Sequence, residues 1–221
     1  MKSNLQDGYR SLFGRLGFPL SKRDSISEVQ IAKAETKVGI RLPAAMRDYY
    51  LVAGRERVLN HAFNRLCLPS EWELHLGKLI FMEENQTVVV WGVTATTRPT
   101  HDPPVFQAPL VSGALDQWHV EHNRCSTFLK FMIHLQAAYG GGMPFTASAQ
   151  ASDGLSSKLR REWSFGGEVN GMRAHSREGR VVCITKWQDF GAKRKSWRAF
   201  AGAASKENLA TIAGELNLQW D

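Results

Sequence analysis

Four prolines, Pro99, Pro103, Pro104 and Pro109, fall between positions 99 and 109. Each removes a backbone donor and fixes φ, so the stretch can be neither a helix nor a central strand. It predicts an extended connection that ends in a short edge strand around Val105 and Phe106. The packing elements must then come from the residues on either side.

On the N-terminal side the first element begins near Ser27. Ser27 and Gln30 have capping-box spacing, and Ile31, Ala34 and Val38 mark one face of a helix. Gly39 stands where a left-handed residue ends that helix, and Pro43 suits the first turn of a second one. Met46, Tyr49 and Tyr50 supply the apolar side of the second helix, and Gly54 stops it. Residues 78–82 read as a strand and Glu83-Glu84-Asn85-Gln86 as a turn. The β-branched stretch 87–94, with Trp91 inside it, returns as the second arm of an antiparallel hairpin.

Beyond the prolines, Ser126 has the position of an N-cap, and Phe128, Leu129, Met132, Leu135 and Ala138 follow at helical spacing. Gly140-Gly141-Gly142 and Met143-Pro144 stop that helix. Residues 146–157, rich in Ala, Ser, Gly and Asp, read as a loop or linker. A hairpin follows (169–175 and 180–186, around Ser176-Arg177-Glu178-Gly179), then a strand over 197–201. A closing helix over 206–216 is capped by Ser205. Helices, strands, helix, strands, helix is an α+β order rather than a βαβ repeat. The expected architecture is a single domain over 1–221, an antiparallel twisted sheet flanked by helices. Its C-terminal strand-helix extension, 146–221, continues the sheet.

The 221 residues are 43% hydrophobic and 22% charged, enough apolar material for a sizeable core. The longest apolar runs, such as Val88-Val89-Val90-Trp91, fall far short of the ~20 residues of a membrane-spanning helix. The segment Met1-Lys2-Ser3-Asn4-Leu5-Gln6-Asp7 has no apolar core of the secretory kind. A cytoplasmic protein without a membrane partner is expected. Three cysteines, Cys67, Cys125 and Cys183, are too sparse for a disulfide framework. Cys183 lies among Val181, Val182 and Ile184 as a small core residue.

Several of these pieces together resemble the SUKH superfamily of Smi/Knr-like domains. Glu35 precedes Gly39-Ile40-Arg41-Leu42-Pro43, and Tyr49-Tyr50-Leu51 with Gly54 follow. Gly77-Lys78-Leu79-Ile80-Phe81-Met82-Glu83-Glu84-Asn85 leads into Val89-Val90-Trp91-Gly92-Val93. Asp102-Pro103-Pro104-Val105 comes next, and Trp118 precedes Ser126-Thr127-Phe128-Leu129. The order and spacing of these pieces over about residues 26–139 carry the resemblance. It implies a compact α+β fold, intracellular residence and function by binding, which in bacteria usually means immunity against a polymorphic toxin, often a nuclease. The formal charge of +7 departs from the acidic face expected of a nuclease plug. Either the acidic residues gather on one face, or the toxin is not a basic nuclease.

Glu71, Trp72 and Glu73, in a connection expected to be exposed, are candidates for partner binding, because tryptophan in a polar surround is a common interface anchor. Glu83 and Glu84 at the hairpin turn and Asp102 join them. Other chemistries are weaker on the residues. His119, Glu121, His122 and Cys125 are zinc-type donors without a second ligand pair, so no metal is expected. Cys125 with His119 or His122 lacks any oxyanion-hole turn, so no catalytic residue and no cofactor are expected. Lys193, Arg194, Lys195 and Arg198, interleaved with Trp187 and Trp197, form a basic patch of the kind that contacts single-stranded nucleic acid. No nucleic-acid motif accompanies it, and a solvated rim is the simpler reading. The expected function is stoichiometric neutralisation of a cognate toxin protein. The alternatives are an intracellular scaffold of the same fold and, further off, a basic nucleic-acid binder.

Overall fold

A computed structural model describes residues 4–111, 113–139, 142–188 and 196–221. The protein is α+β, with two antiparallel sheets and six α-helices among the described residues. No helix among them is long and apolar enough to cross a membrane.

Three helices open the chain: α1 (Asn4–Arg15), α2 (Glu28–Val38) and α3 (Ala44–Ala53). Both bonds of the Ser27/Gln30 capping box form, and Gly39 closes α2 at φ 72°. Glu35, 2% exposed, then accepts from the Leu42 amide (2.6 Å) and from the guanidinium groups of Arg41 and Arg47. One carboxylate therefore locks the α2–α3 joint. The first helix has no counterpart in the expectations above. It packs Tyr9 edge-on against Tyr49 (5.0 Å) and buries Leu12 and Phe13.

The first sheet comprises β1 (Arg65–Leu66), β2 (Glu73–His75), β3 (Lys78–Glu83), β4 (Val89–Thr94), β5 (Val105–Val111), β6 (Ala114–Leu115) and β7 (His119–His122). Its path is β1-β3-β4-β5-β6, with β2 on β3 and β7 on β5. The proline-rich stretch thus ends in a longer and more interior strand than expected. β5 pairs with β4 on one side and with β6 and β7 on the other. Pro109 is tolerated because it falls between the two short partners: β7 pairs with 105–107 and β6 with 110–111.

The helix α4 (Cys125–Ala138) lies between this sheet and a second one, and eleven of its fourteen residues are buried. The second sheet contains β8 (Phe145–Ala151), β9 (Ser164–Val169), β10 (Met172–Arg177), β11 (Arg180–Trp187) and β12 (Ser196–Ala203), in the order β8-β12-β11-β10-β9. Residues 146–221 therefore do not extend the first sheet; they build another on the opposite side of α4. The stretch expected to be a linker is strand β8 and the start of α5 (Leu155–Glu162). Its small residues suit a strand that pairs in register with β12 along its whole length. The last helix, α6 (Lys206–Leu216), has its predicted cap, Ser205 Oγ accepting from the Asn208 amide at 3.1 Å.

Both faces of the second sheet are covered, and β11 shows how. Val181 and Cys183 point to the α4 side, while Val182 and Ile184 join Leu155, Leu159, Ile212 and Leu216 under α5 and α6. A strand buried on both faces reads as a continuous apolar run, as 181–184 does. Close approach of α4 requires glycine: a Cβ on Gly202 would sit 2.3 Å from the Ala137 carbonyl oxygen. At Gly166 it would sit 2.4 Å from the His134 ring.

Candidate functional site

The tertiary structure redistributes the residues singled out in the sequence. Trp72 is 2% exposed. The turn Pro69–Glu71 carries its indole inward, edge-on to Tyr50 at 5.3 Å, where Nε1 donates to the Tyr50 hydroxyl at 3.2 Å. That hydroxyl donates in turn to the Cys67 carbonyl (2.7 Å). Trp72 is therefore a core anchor and not an interface residue; the polar character of its neighbours belongs to the opposite side of the backbone. Glu71 and Glu83 converge on one cation, Arg65, each at 2.7 Å. Glu73 is exposed on β2.

Asp102 is also a structural residue. Its Oδ1 accepts from the Ser126 amide (2.7 Å), and its Oδ2 from the Ser126 hydroxyl (2.6 Å) and Arg124 Nε (2.9 Å). Burial pushes this carboxyl up, but the Ser126 bonds and the Arg124 guanidinium outweigh it and hold it below the ordinary range. Asp102 thus caps α4 from a distant loop, in place of the local cap expected from Ser126.

Lys193, Arg194 and Lys195 lie outside the described residues. Arg198 pairs with Asp221 and with Ser148 Oγ (3.2 Å), tying the chain end to β8. Its charge is already matched, so it is not a free member of a basic patch. Trp197 packs against the C-terminal core beneath Arg173 and Lys186. Cys125 is fully buried, and burial with Asp102 nearby pushes its thiol well up. His119 and His122 stand on β7, where the His122 ring faces the Arg124 amide at 3.0 Å. Among the described residues no three His, Cys, Asp or Glu converge as a metal site.

The structure does bring one set of residues together. Where the two sheets part around the end of α4, a cleft of ≈ 370 Å³ opens. Its floor is Phe131, Met132 and Leu135 of α4. Trp91 and Glu121 stand on the first-sheet side, and Met172, Trp187 and Phe200 on the second-sheet side. Tyr139 links the walls, edge-on to Phe63 and to Phe200, at 4.9 Å in each case. Trp187 and Tyr139 remain 48% and 45% exposed. Aromatic side chains in that state offer a large contact area with little rotamer freedom to lose.

Two carboxylates edge the cleft. Glu121 accepts from Trp91 Nε1 (3.3 Å) and from Asn170 Nδ2 (2.9 Å), so it joins the two sheets across the opening. Glu84 accepts from the Gln86 amide (2.7 Å), which holds the turn between β3 and β4. Sequence reasoning reached Glu84 and weighed Glu121 and Trp187 for other chemistries. It placed Trp91 in the core, which its 6% exposure supports, but Phe63, Tyr139 and Phe200 carried no signal. Their proximity depends on how the second sheet docks. No protein-family model, curated protein or solved structure matches the chain. Chemically, the arrangement is a recognition surface: aromatic walls, an apolar floor and oriented acceptors.

Proposed function

We propose that the protein is an immunity protein that binds a cognate toxin in a stoichiometric complex and so neutralises it. The observation that carries this reading is the inter-sheet cleft, where Trp187 and Tyr139 stay partly exposed while carboxylates edge the opening. Such a site suits an anchor side chain from a protein partner, with its apolar walls supplying tightness and its rim steering association. The SUKH-type motif order supports the same reading from the sequence. Most of the quoted motif residues hold the framework: Glu35 pins the α2–α3 joint and Asp102 caps α4. Gly92 admits the Trp118 ring, which lies 2.9 Å from where a Cβ would stand. The face that meets a toxin then falls to less patterned residues, as a specificity surface would. No catalytic residue, metal or cofactor is assigned, and the protein acts in the cytoplasm of its host.

Co-expression with the protein encoded directly beside this chain tests the proposal. Rescue of growth together with a one-to-one complex is the expected result. Toxicity that persists, or a neighbour that is not toxic and forms no complex, refutes it in favour of a scaffold. Within a complex, Glu84→Lys should weaken binding by about tenfold or more, because a rim charge that steers a partner is reversed. Glu83→Lys should act mainly through the lost Arg65 pair.

A further inference from the structure

Several carboxylates of this protein are paired with arginine. Glu35 faces Arg41 and Arg47, Glu71 and Glu83 face Arg65, Asp102 faces Arg124, Glu168 faces Arg173, and Glu215 faces Arg177 and Arg180. The two at the cleft have no such pair among the described residues: Glu121 and Glu84 are held there by neutral donors, an indole, a side-chain amide and a backbone amide. These bonds fix the orientation of each carboxylate without cancelling its charge. Among the described residues the cleft lining contains no Lys, Arg or His, although the chain as a whole carries a charge of +7. A third acceptor lies in the same wall. Asn64 is 2% exposed, and its Oδ1 is buried without a partner among the described residues, so its dipole adds to the negative potential there.

Aromatic walls with pre-oriented carboxylates that no cation among the described residues neutralises are half of a cation site. We infer that the cleft receives an arginine side chain of the partner protein. A guanidinium fits both halves of the chemistry: its plane stacks on aromatic faces, and its N–H fork donates to a carboxylate. A lysine ammonium keeps its water more tightly and offers no plane to stack. An aliphatic anchor would use the floor and leave the carboxylates desolvated and unpaired, which is unfavourable. The inference rests on the cleft being the partner-binding face, but it requires no toxin for its test.

Nα-acetyl-arginine methylamide and its citrulline counterpart serve as probes, titrated into the full chain labelled with nitrogen-15. The Trp91 indole N–H, which donates to Glu121, is the direct reporter, and the Trp187 indole is a second one across the cleft. Saturable shifts of both are expected with the arginine probe. They should be about fivefold or more weaker with citrulline, which keeps the shape and loses the charge, since a cation–π contact is worth about 1 kcal/mol. Glu84→Gln, which leaves the inter-sheet Glu121 bonds intact, should weaken the arginine probe by a similar factor at unchanged melting temperature. Equal shifts with both probes overturn the inference and leave an apolar cleft. No shift of either indole at tens of millimolar probe also overturns it. If the arginine probe binds while co-expression shows no toxin, the cation site stands and the immunity reading falls. If a toxin binds the cleft without an arginine, the inference falls and that reading stands.

Discussion

His134 of α4 meets Ser176 of β10, while the adjacent His175 lies on the opposite face of that strand with Val182, and stability should fall steeply on mild acidification because of both. His134 is 2% exposed; its Nδ1 lies 2.6 Å from the Lys130 carbonyl and its Nε2 3.0 Å from Ser176 Oγ. His175 is fully buried, and neither ring nitrogen has a partner among the described residues. Burial pushes the His134 pKa down to about 4 against the pull of the Lys130 carbonyl, with Arg15 and His175 adding to the fall. Burial, seconded by Arg160 and Arg173, also takes His175 to about 4. The unfolded chain, with ordinary values near 6.5, binds more protons than the folded one between those limits. Stability is therefore complete above about pH 6.5 and is lost as the pH falls toward 4. Between pH 7.5 and pH 5 each histidine should remove about 2 kcal/mol, and the pair roughly twice that. Urea unfolding at a series of pH values measures the loss, and His134→Asn, which can keep a donor toward the Lys130 carbonyl, should halve the slope whatever its own stability. A flat wild-type profile over this range would falsify the assignment. So would proton NMR showing both ring Cε1–H signals titrating near 6.5 in the native protein.

Trp72→Ala should lower the free energy of unfolding by about 3–5 kcal/mol, the usual loss for a fully buried large aromatic. Denaturant titration checks this; an unchanged midpoint with impaired partner binding would return Trp72 to the interface. Gly202→Ala places a Cβ 2.3 Å from the Ala137 carbonyl, and α4 must move. Overpacking of this kind costs about 1–3 kcal/mol, so calorimetry should show a melting temperature lower by several degrees. Asp102→Ala removes the acceptor at the start of α4, a loss of about 1–2 kcal/mol. Hydrogen exchange should localise that loss to the Ser126 amide and the first turn of the helix.

Much of the local structure was legible because local physics decides it. The Ser27/Gln30 box, the left-handed Gly39, the Ser205 cap and the 78–94 hairpin each depend on a few adjacent residues, and each formed where the sequence placed it. The first helix was harder to read. Leu5, Tyr9, Leu12, Phe13 and Leu16 have helical spacing, but Gly8 and Gly14 interrupt the pattern with residues of poor propensity. Packing of Tyr9 on Tyr49 supplies what propensity lacks.

What the chain order could not settle was pairing at a distance. Residues 146–151 lack the apolar alternation of a strand and become one because β12 offers its full edge. Trp72 looked exposed between two glutamates, but a strand-like backbone sends neighbours to opposite sides, and only the position of Tyr50 decides which side is core. Asp102 looked like a surface carboxylate because the amide it caps lies 24 residues further on. The cleft is the extreme case. Phe63, Trp91, Glu121, Tyr139, Trp187 and Phe200 come from both sheets and from the chain on either side of α4, and no local signal relates them. The sequence by itself determined the ends of α2 and α6, the 78–94 hairpin and the α+β order, since these follow from backbone chemistry over a few residues. Only the docking of two sheets on one helix decided which side chains meet, because that depends on burial summed over the whole molecule.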